Sequence, residues 1–253
     1  MKFILLSVII VSSLFAQITV CDSSGKIDES CKKIMNFVNH PLILSDVSKD
    51  SAKVSMGNLK IGQSGIIVHK TSKGKNVIVS FASVVSSATA ASELRFIDKQ
   101  IIKQNAIPTT KLKPQDGDKF ILNHLYDASL LIAPNINAKR VIQTTFEKQN
   151  FISEDFFASY LKLKETSAPS KKDIQRFCDT NHIGTLFIVI VDHLYIVDTN
   201  TFKVIEIQKL KVEDKTAKIP FYTKIEKIEE SIVSFGDNKM SNYNKYYSKL
   251  LGL

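Results

Sequence analysis

The sequence lacks most of the patterns from which chemistry is recognised. It has no P-loop and no glycine-rich dinucleotide fingerprint, which removes the commonest nucleotide-dependent enzymes. None of its five histidines (His40, His69, His124, His182, His193) has zinc-helix spacing with a third ligand nearby. Arginine is scarce: Arg95, Arg140 and Arg176 are the only three among 34 basic residues. Arginine is the usual reader of phosphates and base edges, so a lysine-dominated excess of +9 argues against nucleic acid. It fits an envelope or acidic-surface role, or simply a well-solvated surface. Internal repeats and low-complexity tracts are also missing.

Cysteine is equally sparse. Cys21 and Cys31 enclose a short loop and are able to pair, leaving Cys178 on a helix; an odd count also fits no structural disulfide. The hydrophobic stretch Phe3–Phe15 is too short to span a bilayer comfortably. It follows Met1-Lys2 and precedes Ala16, the arrangement of a signal peptide over residues 1–16. Leu14 is unusual at the −3 position of that cleavage site, and Val20 stands before Cys21 where lipidation wants a small residue. The expectation is an exported chain, in the periplasm or at the cell surface, with no transmembrane helix after cleavage.

What is present has an α+β pattern: a β-rich barrel-like domain, then an α/β domain with a central β-meander and C-terminal helices. Residues 17–40 read as a leader, with Ile34, Phe37 and Val38 hinting at a helical turn. Residues 41–125 carry short strands at Leu42–Val47, Ala52–Met56, Gly65–Lys70, Asn76–Val85, Ala90–Phe96 and Lys119–Asn123. Turn clusters at Ser72–Lys75 and Gln115–Asp118 separate them, a spacing that fits a small barrel or sandwich. Ile101–Asn105 reads as a connector before Pro108.

Residues 126–253 alternate strand and helix. Leu130–Ala133 is a strand, and Ala138, Val141, Ile142, Thr145 and Phe146 share a helical face. Ser153 caps a second helix with core residues Phe156, Phe157, Tyr160 and Leu161. Ser170 and Asp173 form a capping arrangement for a third, closed by Gly184. Gly184–Ile207 is the meander: Leu186–Val191 is an unbroken apolar run expected to be buried on both faces. Asp192-His193 is the break, Leu194–Val197 the second strand and Phe202–Ile207 the third. Ile225, Ile228 and Ile232 mark another helix closed by Gly236. Tyr243, Tyr246, Tyr247, Leu250 and Leu251 mark the last, as a docking face.

The remaining leads for chemistry are weak. Cys178 and His182 stand at i, i+4, but two ligands do not make a site. Gly62-Gln63-Ser64-Gly65 has the wrong spacing for a nucleophile elbow and reads as turn glycines. Asp116-Gly117-Asp118 lacks the distal glutamate of a calcium loop. Glu229-Glu230 reads as a solvated pair. The expectation is a protein that is not an enzyme, with no catalytic residue, cofactor or metal site.

Five stretches carry a resemblance: Leu59–Val68 (LKIGQSGIIV), Leu130–Asn135 (LLIAPN), Asn150–Asp155 (NFISED), Gly184–Val189 (GTLFIV) and Pro220–Tyr222 (PFY). In order and spacing, from about Lys60 to Leu251, they resemble the N-terminal domain family of bacterial plasminogen-binding protein A. The resemblance implies an exported envelope or surface protein that binds host plasminogen, whose kringle modules take a terminal lysine or a lysine beside an acid. The final helix offers candidates. Lys249 and Leu253 stand at i, i+4, which would set an ammonium and the terminal carboxylate on one face, with Lys245 a turn earlier. The alternative for Lys249 is a cap on the helix's negative end. A second, looser resemblance, from Leu130 to Ile207, is to partner-binding α/β domains of periplasmic assembly proteins, the Tol-system propeller protein and the curli-secretion lipoprotein among them. The β region before it is similar to small barrels in flagellar assembly factors. These imply a structural module of an envelope machine whose partners are periplasmic proteins.

Overall fold

The computed structural model describes residues 41–97, 112–225 and 240–253, together with the backbone of Val20–Cys21. The signal peptide, Ile34–Val38, Cys31, Ile101–Asn105, Glu229-Glu230 and the helix expected through Ile228 and Ile232 lie outside the described residues.

Strand β1 is Val20–Cys21, within the stretch read as a leader, and it belongs to the second of two sheets. The first sheet is a closed barrel of β2 (Pro41–Ser45), β3 (Ser51–Val54), β4 (Ser64–Lys70), β5 (Asn76–Ser87), β6 (Ser92–Ile97) and β7 (Lys119–Leu122), in the order β2-β3-β6-β5-β4-β7. Alternation drives it. Ala52 and Val54 point inward from β3 while Ser51 and Lys53 do not. They join Leu44, Ile67, Ala82, Val84, Leu94, Phe120 and Leu122 in one core. Gly65, expected at the start of a strand, lies within β4. A Cβ there would sit 2.2 Å from the carbonyl oxygen of Ile121, so only glycine permits the β4–β7 approach.

The second sheet has the order β1-β12-β11-β10-β8-β9. Strands β8 (Ala128–Ile132), β9 (Asn150–Ile152) and β10 (Thr185–Ile190) are parallel neighbours. Strands β10, β11 (His193–Asp198) and β12 (Val204–Leu210) form the antiparallel meander. The two faces are covered differently. Helix α1 (Ile136–Thr145) covers Phe187 and Val189, with the Phe146 and Phe151 rings edge-on to Phe187 at 5.3 and 5.1 Å. Helices α2 (Glu154–Leu163), α3 (Lys171–Thr180) and α4 (Tyr243–Leu251) cover Leu186, Ile188 and Ile190. Every residue of β10 is therefore buried. Asn135, Ser153 and Ser170 cap the three crossover helices, Ser170 with Asp173 as a capping box.

Several boundaries differ from the sequence reading. The first hairpin turn is Val191-Asp192, so Val191 is exposed rather than buried and His193 pairs with Ile190. Phe202, read as strand, sits at φ 54 in the turn before β12, fixed by its N–H to the Asp198 carbonyl at 2.8 Å. Helix α3 is not closed by Gly184. His182 makes the left-handed step, at φ 55, and Gly184 instead allows the backbone of Leu125 within 2.5 Å of its absent Cβ. Phe156, assigned to the core face of α2, is 66% exposed because the face turned inward is Phe157, Ala158 and Leu161. Strand β9 escaped notice because three residues at a sheet edge carry no periodicity.

Candidate functional site

The candidate site residues lie on and beyond α4. Its inner face is anchored by Tyr243, whose hydroxyl lies 3.1 and 2.9 Å from the Ile132 and Val189 carbonyls, and by Tyr247, which donates to Pro220 at 3.1 Å. Burial pushes both phenols well above their usual range. Tyr246 donates to Pro169 at 3.0 Å, and Asn242 caps the first turn. The opposite face carries Lys245 and Lys249, both exposed and one turn apart. Neither makes an ion pair among the described residues.

Leu253 does not share that face. The helix ends at Leu251, and Gly252, at φ 76, reverses the chain. The Gly252 N–H reaches Lys249 O at 3.2 Å and the Leu253 N–H reaches Ser248 O at 3.0 Å, a Schellman closure. The i, i+4 relation of Lys249 to Leu253 is therefore not a helical one. Main-chain donors satisfy the Ser248 and Lys249 carbonyls, and Lys249 stands in the last turn, at the helix's negative end. Leu253 is 57% exposed just past the reversal.

Open α/β sheets bind ligands outside the carboxyl ends of parallel strands, where successive helices leave on opposite faces. Here β8 leads to α1 and β9 to α2, and the chain itself fills that crevice. Tyr222 and Lys218 donate backbone N–H to Ala133 O and Pro134 O, each at 2.8 Å. The side-chain amide of Asn135 donates to the Asp214 and Thr216 carbonyls. Lys139 forms a part-buried ion pair with Glu154, and the Lys139 and Lys218 ammoniums each lie 5.8 Å from the centre of the Tyr222 ring. The Thr223 hydroxyl closes on Asp155 at 2.6 Å. The usual ligand position is thus occupied by residues 214–224.

Barrel and sheet meet at a buried polar node. One Asp198 carboxylate oxygen accepts from the Ser64 hydroxyl (2.5 Å), the Tyr126 hydroxyl (2.5 Å) and the Ser64 N–H (3.0 Å). The other accepts from the Thr201 N–H at 2.7 Å, and the Thr201 hydroxyl reaches across to Gly62 O at 2.8 Å. Burial raises the Asp198 carboxyl above its ordinary range, an effect the donors from Ser64, Tyr126 and Thr201 only partly offset. Burial and the Asp198 charge push Tyr126 well up. Ser64 serves as a fastener between the two parts.

The other leads separate in space or change meaning. Cys178 is fully buried on α3, whereas His182 is exposed beyond the helix end, so the i, i+4 pairing does not form. Asp116-Gly117-Asp118 is a turn, with Gly117 at φ 88 and Asp116 accepting from Val47 N–H. Sequence reasoning missed His69, whose Nδ1 lies 2.7 Å from Asp118. The two are brought together by β4–β7 pairing, which no local spacing signals. Among the described residues no cluster of three or more His, Cys, Asp or Glu side chains is placed to hold a metal ion.

The family model of the plasminogen-binding protein pgbA N-terminal region matches residues 38–251. The chain belongs to this family. Two relatives, both plasminogen-binding protein PgbA of Helicobacter pylori, from strains J99 and 26695, are each 24% identical over 209 residues. The match covers 81% of this chain but only 46% and 45% of the relatives, so the chain spans about half their length. No solved structure matches. A family described by a binding protein supports a protein-binding role. Its five carrying stretches are structural: Leu59–Val68 reaches the Asp198 node, Gly184–Val189 leads into and forms most of the central strand, and the other three meet at the filled crevice.

Proposed function

We propose that this chain is an exported bacterial protein of the periplasm or cell surface that binds host plasminogen through the outer face of α4. The observation that carries the reading is the pair Lys245 and Lys249. Both are exposed, one turn apart, on a helix held from behind by two fully buried tyrosines. A ligand presented on a fixed helix loses little conformational freedom on binding, and kringle modules recognise lysine side chains. Leu253 adds an exposed apolar edge to the same end of the molecule. The test is plasminogen capture by the immobilised full chain. Capture is expected to be displaced by a free lysine analogue and weakened roughly tenfold or more in Lys245→Ala/Lys249→Ala. Unchanged capture by that variant would remove α4 as the site. No capture by the wild type would remove plasminogen and leave the reading as a periplasmic envelope module. Protease shaving of intact cells separates the two locations, because only a surface protein is cut.

A further inference from the structure

The outer face of α2 carries two large apolar side chains that its own packing does not use. Phe157, Ala158 and Leu161 turn inward. At the angular step of an α-helix, Phe156 and Leu163 fall together on the opposite side, two turns apart. Phe156 is 66% exposed and Leu163 87%, the two highest values for large apolar residues among those described. At such exposure neither buries much area in the isolated chain. The small side chain of Ser159 stands between them, so a second helix has room to approach. The helix is held from behind, with the Phe157 and Phe221 rings stacked at 5.5 Å and Ser153 capping the first turn.

The charges beside this pair repeat its spacing. Asp155 and Lys162 are also seven residues apart, and they share one flank of the outer face. Lys162 is exposed and makes no ion pair among the described residues. Asp155 takes the Thr223 hydroxyl and the Lys224 N–H on Oδ1, at 2.6 and 2.9 Å, and its Oδ2 has no hydrogen bond among the described residues. The other flank is engaged within the chain: Lys164 pairs with Asp173 at 2.6 Å and lies over the Tyr160 ring.

We propose that the outer face of α2 is a homodimer surface, on which a second copy of this chain lays the same helix antiparallel about a two-fold axis near Ser159. A two-fold contact must match its own image, with residue i meeting j and j meeting i. Antiparallel packing sets Phe156 against Leu163 of the second copy, and the reverse. It also lays like flanks side by side, which brings Asp155 to Lys162 of the second copy at both ends of the contact. A parallel pair would set each flank against the opposite one and leave Asp155 without Lys162. An anionic membrane fits less well, because Asp155 is repelled by it and the chain has no tryptophan to anchor at an interface. Two apolar pairs and two ion pairs cover well under the roughly 1,200 Å² of a stable specific interface, so the dimer is weak and forms at high local concentration. The surface uses no residue of α4 and stands independently of the plasminogen reading.

The test is sedimentation equilibrium of the full chain from about 10 µM to about 1 mM, where a weak dimer should populate progressively. Leu163→Glu should weaken association roughly tenfold or more. Lys162→Glu should weaken it about threefold, and more at low salt than at high salt. Both positions are exposed, so neither change should move the thermal midpoint. Disulfide formation reads the orientation: a Phe156→Cys chain mixed with a Leu163→Cys chain should cross-link faster than either variant with itself. Four results would overturn the proposal. One is a monomer at every concentration, and the second is a dimer indifferent to Leu163→Glu. The third is faster cross-linking of either cysteine variant with itself, which would make the pair parallel. The fourth is a monomer whose Leu163→Glu variant melts at lower temperature, which would assign the cover to residues 226–239 of the same chain.

Discussion

The barrel buries one face of its six strands against itself, whereas the second sheet buries both faces of β10 beneath helices drawn from four separate stretches of chain. Closure leaves the barrel no strand edge, and among the described residues no helix covers it. The sheet, by contrast, needs its helices, and each helix has an outer face that packing does not use. That difference locates the candidate partner surfaces. The outer face of α4 belongs to the sheet domain and is held in place by contacts on its inner side.

The comparison breaks most visibly in the core of the sheet. Phe187→Ala removes two edge-on ring contacts and a fully buried side chain. It should cost about 3–5 kcal/mol and lower the midpoint of the single urea transition.

Next comes the junction. Asp198→Ala leaves the Ser64 and Thr201 N–H groups and the Tyr126 hydroxyl without their buried acceptor. A loss of about 2–3 kcal/mol is expected, with a single unfolding transition separating into two as barrel and sheet uncouple. The same residue sets a pH dependence. The fold raises the Asp198 carboxyl, so between its ordinary range and its raised folded value the native state binds more protons than the unfolded chain. Its contribution is fully present below the ordinary carboxylate range and is lost as pH rises through the folded value. Urea midpoints across mildly acidic pH should show that fall, and Asp198→Ala should flatten it.

A smaller effect tests the boundary of α3. His182→Gly removes a side chain from φ 55 at an exposed position and should gain up to about 1 kcal/mol in thermal unfolding.

Much of this architecture was legible because burial writes itself into local patterns. Ser51–Val54 alternates and Leu186–Ile190 is unbroken, so a half-buried barrel strand and a doubly covered central strand were each readable. Ser170 with Asp173 announced a helix start. The losses have equally local causes. Nothing near Val191 or His182 signals a left-handed turn, because both are poor residues for one. The Asp198 node joins Ser64, Tyr126 and Thr201 across up to 134 residues, and His69 meets Asp118 across 49. The stretches that carry the family resemblance build the junction, the central strand and the filled crevice, so they reveal the fold without touching the exposed lysines. Lys245 and Lys249 were readable as a pair from helical spacing. The Leu253 geometry was not, since Gly252 ends the helix one residue too soon.

The most direct test sets exposed lysines of the two regions against each other. Lys73 and Lys75 lie on the barrel hairpin, and Lys245 and Lys249 on α4; all four are exposed, so neither double alanine variant should move stability by more than about 0.5 kcal/mol. Lysine-analogue-sensitive plasminogen capture by the full chain should survive Lys73→Ala/Lys75→Ala and be lost in Lys245→Ala/Lys249→Ala. Capture lost with the barrel pair and kept without the α4 pair would contradict the account.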